Sequence, residues 1–173
     1  GAGKTTTLLT LVGELPLQSG EVRLHGERTT APLHRRAKRA VAFLPEGRSV
    51  YKSMTTAENL RVARVAPDEA LALFPELISR IGVRGGLLSG GEQRMLALSC
   101  ALGRHPRLLL ADELSLGLAP LVVNRLLEAV RHAADRQGTA VLLVEQQVRK
   151  VLRYADRAYV MHRGRIVMDL PAA

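Results

Sequence analysis

The stretch from Leu108 to Pro120, Leu-Leu-Leu-Ala-Asp-Glu-Leu-Ser-Leu-Gly-Leu-Ala-Pro, constrains the fold more than any other part of the chain. Three consecutive leucines and an alanine, bounded by charge, leave no polar side for solvent. The pattern predicts a short strand covered on both faces, as in a parallel sheet. Asp112 and Glu113 follow at its carboxyl end, where open α/β sheets place ligand chemistry. A metal-binding acid beside a catalytic acid is the functional reading, and a strand-to-loop junction without chemistry is the plain one.

The first six residues, Gly1-Ala2-Gly3-Lys4-Thr5-Thr6, match the closing half of a phosphate-binding loop. Glycines let backbone N–H groups turn toward phosphate oxygens, and the helix that follows adds its positive N-terminal end. Lys4 is placed to reach the β and γ phosphates of a nucleotide, and the Thr5 hydroxyl to ligate Mg²⁺. The chain opens inside this motif without an initiator Met, so it reads as a piece of a longer protein. A Gly-Lys-Thr triplet can also be an ordinary loop; the apolar strand ending Asp-Glu is what argues against that.

A chain of 173 residues with 47% apolar residues can build one full core, and with 3% aromatics that core is aliphatic. No apolar run approaches the roughly 18 residues of a membrane span, and no leader resembles a signal peptide. Cys100, the single cysteine, excludes an internal disulfide framework and fits a small core residue. The net charge of +9 permits anionic partners. The arginines are scattered, however, with only Arg35, Arg36, Lys38 and Arg39 close together, and no aromatics are interleaved to stack bases, so no nucleic-acid partner is expected.

Along the chain, Thr5 to Val12 predicts a helix opening at the phosphate loop, and Glu21 to His25 a half-exposed antiparallel strand. The Arg35 to Arg39 cluster reads as a solvated face. Val41 to Leu44 predicts a second buried strand that runs into Glu46. From Ser49 to Gly86 the pattern turns helical, with Thr56 as an N-cap and Pro67-Asp68-Glu69 opening a further helix. Ser89-Gly90-Gly91-Glu92 then precedes a helix striped with Met95, Leu98 and Leu102. Ser89 can cap it, and the glycines let a ligand approach its N-terminus, a natural anion site. Pro120 opens a helix with Val123, Leu126, Leu127 and Val130 on one face, and Gly138 ends it. Thr139 to Val144 predicts a third buried strand, ending in Glu145-Gln146-Gln147. Residues 158–161 and 165–168 flank a Gly164 turn as a hairpin.

Taken in order, these motifs resemble the nucleotide-binding subunit of ABC transporters over essentially the whole chain. Gly1 to Thr6 looks like the end of Walker A, Leu88 to Gln93 is similar to the ABC signature, and Leu108 to Glu113 matches Walker B with its catalytic glutamate. The resemblance implies an α/β P-loop NTPase fold of the ABC type, one domain over residues 1–173 with a helical subdomain at about 49–88, lacking its N-terminal strands and its adenine-stacking aromatic. It implies ATP and Mg²⁺ as ligands. Gly1, Ala2, Gly3, Lys4, Thr5 and Thr6 would bind phosphate together with Ser89, Gly90, Gly91 and Glu92 of a second subunit, paired head to tail as a homo- or heterodimer. Thr5, Asp112 and Glu46 would serve the metal, and Glu113, Gln146 and Glu46 the reaction. Integral membrane permease subunits, and indirectly a substrate-binding protein, are the further partners implied, with the chain peripheral on the cytoplasmic face of the cell membrane. A chain cut inside Walker A is expected to hydrolyse ATP poorly by itself.

Within the family, Leu44 to Arg48, Phe74 to Leu77, Ser115 to Pro120 and Leu143 to Gln146 look like the ATPase of branched-chain amino acid importers. Four positions depart from the commonest pattern. Glu46 stands for a glutamine, Gln146 for the switch histidine, Ala119 for an aspartate, and Leu114 for the proline after the catalytic acid, which relaxes the backbone at Glu113. Two rivals remain. A non-transport ABC ATPase acting on DNA or ribosomes is disfavoured, because the Thr6 to Ser89 interval is too short for the long coiled coils of DNA-repair members and translation-associated members carry two such domains in one chain. A regulatory module that binds nucleotide without hydrolysis is kept open by Leu114 and Ala119.

Overall fold

The structure, a computed structural model, describes every residue except Gly1, Arg39, Arg48, Ser49, Gln147, Ala172 and Ala173. Helix α1 (Lys4–Val12) leads to a small antiparallel pair, β1 (Arg23–Leu24) and β2 (Glu27–Arg28). Helix α2 (Leu33–Ala37) precedes β3 (Val41–Leu44). Two short helices follow, α3 (Thr56–Ala63) and α4 (Pro67–Leu73), with 3₁₀ turns at Pro75–Arg80 and Gly85–Leu87. Then come α5 (Gly90–Leu102), β4 (Leu108–Asp112), α6 (Pro120–Gln137) and β5 (Ala140–Val144). The short α7 (Val148–Val151) leads to the hairpin of β6 (Arg157–His162) and β7 (Arg165–Pro171).

The central sheet is parallel in the order β3-β4-β5, with Leu110 of β4 opposite Phe43 on one side and Leu142 on the other. Its alternating side chains feed two cores. Leu109 and Ala111 join the larger one, with α5, α6 and the α3–α4 segment, while Leu110 points to the smaller one with Leu8 and Val12 of α1, Leu24 and Val41. That two-sided burial is why β4 tolerates no polar residue before Asp112. Strand β5 lies at the sheet's edge and is only half-buried, short of the full burial its composition predicts.

Two local expectations need correcting. The cap of α3 is Thr55, whose side chain accepts from the N–H of Glu58 while the Glu58 carboxylate takes the Thr55 N–H, a complete capping box. Thr56 instead is buried and gives its N–H to the Val83 carbonyl. Arg36 is not part of a solvated face. It is 4% exposed, and its guanidinium donates to the carbonyls of Ala31, Thr10 and Leu11, closing the C-terminal end of α1. Gly13 makes room for it, since a Cβ there would lie 2.6 Å from the Ala31 oxygen. Elsewhere the prediction and the fold agree closely: Ser89 caps α5, Pro120 opens α6, and Gly138 closes it in the left-handed conformation.

The α3–α4 segment does not build a core of its own. Leu60, Phe74 and Leu77 are wholly buried against Met95, Leu98 and Leu102 of α5 and the inner face of α6. Asn59, itself buried, braces the entrance to the segment: its side chain accepts from the Tyr51 N–H and donates to the carbonyls of Tyr51, Met54 and Thr55.

Candidate functional site

The site forms where α1 begins and where β4 and β5 end. Gly3 precedes α1 with φ of 93°, a left-handed conformation that lets the chain turn into the helix with its first N–H groups uncovered by any side-chain cap. The β6–β7 turn packs behind it. Gly164 N–H donates to the Ala2 carbonyl at 2.9 Å, and a Cβ on Gly3 would sit 3.5 Å from the Gly164 Cα and 3.7 Å from the Met161 sulfur. Thr7 also anchors here, giving its hydroxyl to the Gly3 carbonyl at 2.9 Å.

Lys4 reaches across from α1 to the end of β5. Its Nζ donates to the Glu145 carbonyl at 3.1 Å and stands 3.9 Å from Oε1 of Glu113. Glu113 is 5% exposed and has φ of 50°, a conformation that a non-glycine residue holds only when its surroundings dictate it. Its N–H donates to the Val144 carbonyl at 2.9 Å, and its Oε1 accepts from Nε2 of Gln146 at 2.8 Å. Leu114, where the commoner pattern has proline, is 1% exposed and packs into the large core. Asp112 is 2% exposed, and its Oδ1 has no hydrogen-bond partner among the described residues. An orphaned carboxylate oxygen at the end of β4, with an exposed Thr5 hydroxyl in the first turn of α1, offers hard-oxygen donors of the kind that suit Mg²⁺, so the residues present fit that ion.

Glu46 is exposed at the end of β3, on the same side of the sheet as Asp112. The residue that ties it in is Arg94 of α5. Its guanidinium donates to the carbonyls of Pro45 and Glu46. Burial lowers the Arg94 pKa, while Glu46, Glu145 and Asp112 raise it, so this half-buried cation faces three acids of the site. Nothing in the Arg-rich sequence marks Arg94 apart, although its place one turn into the helix after Gly90-Gly91 is a usable signal.

The α5 N-terminus is built separately. The Ser89 hydroxyl accepts from Glu92 N–H, and the Glu92 carboxylate accepts from Ser89 N–H at 2.8 Å and from Arg80 Nε at 2.7 Å. These bonds, Arg80 first, hold the Glu92 carboxyl below its ordinary pKa. Glu92 therefore enters the site through the cap. Ser89 and Gly90 are exposed, and Gly91 leaves space beside Val122, whose Cγ1 would lie 3.1 Å from a Cβ there. Among the described residues no hydrogen bond or ion pair joins residues 89–92 to residues 2–6.

The described residues contain no cluster of three or more His, Cys, Asp and Glu of the kind that holds a metal by itself, and no helix long and apolar enough to cross a membrane. The structure resembles a dimeric ATP-binding cassette, MJ0796, in a post-hydrolysis state bound to ADP and Pi. The TM-score is 0.87 at 18% identity, covering 99% of this chain and 82% of that one. Among curated proteins, the chain is 43% identical to the high-affinity branched-chain amino acid transport ATP-binding protein BraG of Pseudomonas aeruginosa, covering 97% of this chain and 76% of BraG. It is 35% identical to the probable branched-chain amino acid transport ATP-binding protein LivF of Archaeoglobus fulgidus, covering 98% and 76%. It is also 33% identical to the lipopolysaccharide export system ATP-binding protein LptB of Acidithiobacillus ferridurans, covering 96% and 73%. The family model described as ABC transporter matches residues 1–115, which takes in Lys4, the α5 N-terminus, Asp112 and Glu113. With the fold, the sequence and the order of these motifs in agreement, the chain belongs to the ATP-hydrolysing, ATP-binding subunits of ABC transporters.

Proposed function

We propose that the chain energises an importer for branched-chain amino acids, from the cytoplasmic face of the membrane, as one of two head-to-tail ATPase subunits. The observation that carries the hydrolytic part is the convergence of Lys4 and Gln146 on Glu113, the first by an ion pair at 3.9 Å and the second by a hydrogen bond at 2.8 Å. Lys4 leaves its contacts with Glu113 and the Glu145 carbonyl to meet the β and γ phosphates over Gly1 to Thr6. Glu113, held by Gln146, then accepts a proton from the attacking water through its carboxylate. Mg²⁺, when bound by Thr5 and Asp112 with Glu46 close by, supplies neutralising charge on the phosphate oxygens. The exposed N-terminus of α5, with Ser89, Gly90 and Gly91, serves the nucleotide of the second subunit. Among the described residues it makes no hydrogen bond or ion pair with residues 2–6 of its own chain, in keeping with this arrangement.

Residues 1–173 act as one domain with a helical subdomain at about 49–88, and the surface from Glu46 to Gly86 docks on a membrane subunit. Exposed apolar side chains support that surface: Tyr51 at 58%, Val62 at 50% and Ile78 at 58%. Met54 is half-buried, Leu60 is in the core, and Arg48 lies outside the described residues. The cargo rests on the names of the BraG and LivF relatives, and the LptB relatives supply a second reading, lipopolysaccharide export.

Reconstitution of the full-length protein with its cognate membrane subunits tests both. ATP-dependent, binding-protein-dependent uptake of labelled leucine, isoleucine or valine, abolished by Glu113→Gln, is the expected result. Lipopolysaccharide extraction without uptake would transfer the chain to the second reading.

A further inference from the structure

Beyond the groups that touch nucleotide, the end of β5 holds the loop after β4 by three successive residues. The Val144 carbonyl takes the Glu113 N–H, Gln146 binds the Glu113 carboxylate, and between them Glu145 takes Ser115 twice. One Glu145 carboxylate oxygen accepts the Ser115 N–H at 2.8 Å and the other its hydroxyl at 2.7 Å. The Glu145 backbone carbonyl meanwhile receives Lys4. Ser115 is 1% exposed, so without Glu145 its two donors would be stranded in the interior.

We propose that Glu145 is a positioning residue for ATP hydrolysis, a clamp that fixes Ser115 through its side chain and Lys4 through its carbonyl, so that the strained Glu113 turn and the phosphate lysine share one support. The inference rests on Glu113 being the group that acts on water. Glu113 sits at φ of 50° directly between a strand and Ser115, and a turn of that kind keeps its shape only when both flanks are held. Asp112 is fixed by its pairing with Val144, and the far flank is fixed by Glu145. A bidentate carboxylate on a backbone N–H and a hydroxyl is a stiff connection. The same residue lies in the field of Arg94, which also binds the Pro45 and Glu46 carbonyls, so the clamp is continuous with the end of β3.

The test uses the full-length protein with its partner subunits and compares Glu145→Ala, Glu145→Gln, Ser115→Ala and the Glu145→Ala/Ser115→Ala double variant, with Glu113→Gln alongside. A carboxamide can still accept the Ser115 N–H and donate to its hydroxyl, so Gln preserves the clamp while removing its charge. Glu145→Ala is expected to lower kcat about 10-fold or more with KM for ATP within about 3-fold, and Glu145→Gln to stay within about 3-fold of wild type. Ser115→Ala should fall between them, and the double variant should be no slower than Glu145→Ala, since both break one connection. Apart from activity, hydrogen exchange at residues 113–118 should quicken at least about 10-fold in Glu145→Ala and be restored in Glu145→Gln. If Glu145→Ala fails to fold, Ser115→Ala still decides through the same kcat and exchange readouts. Wild-type kcat in Glu145→Ala, equal losses in the Ala and Gln variants, or additive effects in the double variant would each overturn the clamp. Undiminished turnover in Glu113→Gln would overturn the reading of the site itself, and the clamp with it. Loss in Glu113→Gln without loss in Glu145→Ala would overturn the clamp alone.

Discussion

Nε2 of Gln146 donates to Oε1 of Glu113 at 2.8 Å, which commits one oxygen of the acid to the protein. A histidine at this position could titrate near neutrality, whereas an amide cannot, so in the proposed reaction Gln146 would serve by orientation alone. Gln146→Ala should therefore lower kcat by about 10-fold or more while ATP affinity changes little, the mark of an interaction that matters in the transition state. Phosphate release and nucleotide titration check the split. A rate equal to wild type would remove Gln146 from the reaction.

Glu113→Gln keeps an oxygen that can accept from Gln146 but removes the proton acceptor. Hydrolysis should drop by about 10² to 10⁴-fold with nucleotide still bound, the usual contribution of a positioned base. A nucleotide-bound dimer should accumulate on size-exclusion chromatography. Steady-state turnover at the wild-type rate would sink the assignment.

Ala119 is the N-cap of α6 yet has no side chain to accept from the helix's first N–H groups. Ala119→Asp should supply that acceptor and a charge favourable to the helix dipole, stabilising the fold by about 1 kcal/mol. For a chain of this size that raises Tm by roughly 2–4 °C. A lower Tm would mean that the loop before Pro120 cannot accommodate the cap.

Glu76 and Arg125 join the α3–α4 segment to α6 through a 2.9 Å bond, and Arg125 also lies over the Phe74 ring. The hydrogen bond to Arg125 is the main reason the Glu76 carboxyl sits below its ordinary pKa. A depressed carboxyl contributes stability above its unfolded value, about 4.3, and loses it as pH falls through the lower folded value. The Tm gap between wild type and Glu76→Gln should therefore be constant near neutrality and close as the pH drops below about 4. A gap that persists at pH 2 would show that the pair contributes through packing.

Burial pushes the Cys100 thiol up to about 12, so almost no thiolate exists at pH 8. Alkylation by iodoacetamide in the folded protein should run roughly 10³-fold slower than for a free cysteine and recover on unfolding. Labelling at the free-thiol rate would place Cys100 in a different environment.

The sheet and its two long helices were legible because their signals are periodic: Leu108 to Leu110 leave no solvent side, and Val123 to Val130 repeat at helical spacing. Lys4, Asp112, Glu113 and Gln146 could be located because each stands beside such an element. What escaped were contacts whose partners are backbone atoms or distant in sequence. Arg36 reads as one more surface cation until the carbonyls of Thr10 and Leu11 are seen around it. Arg94 and the Glu145 carboxylate belong to the same class. The cap at Thr55 was different, since Glu58 stands three residues on and the capping-box spacing already favoured Thr55 over its neighbour. The half-burial of β5 follows from its edge position, which apolar composition does not encode.

The hairpin turn behind the phosphate loop bears on how the protein is made. Ala2 and Gly3 are among the first of these residues to leave the ribosome, while Met161 and Gly164, which brace them, are among the last. At about 5–20 residues per second the loop waits roughly 8 to 32 seconds for its support. Nascent chains should thus gain nucleotide affinity in a late step, only once Met161 and Gly164 have emerged to brace the loop, and a ribosome stalled while that hairpin is still in the exit tunnel should carry a chain that cannot yet grip phosphate.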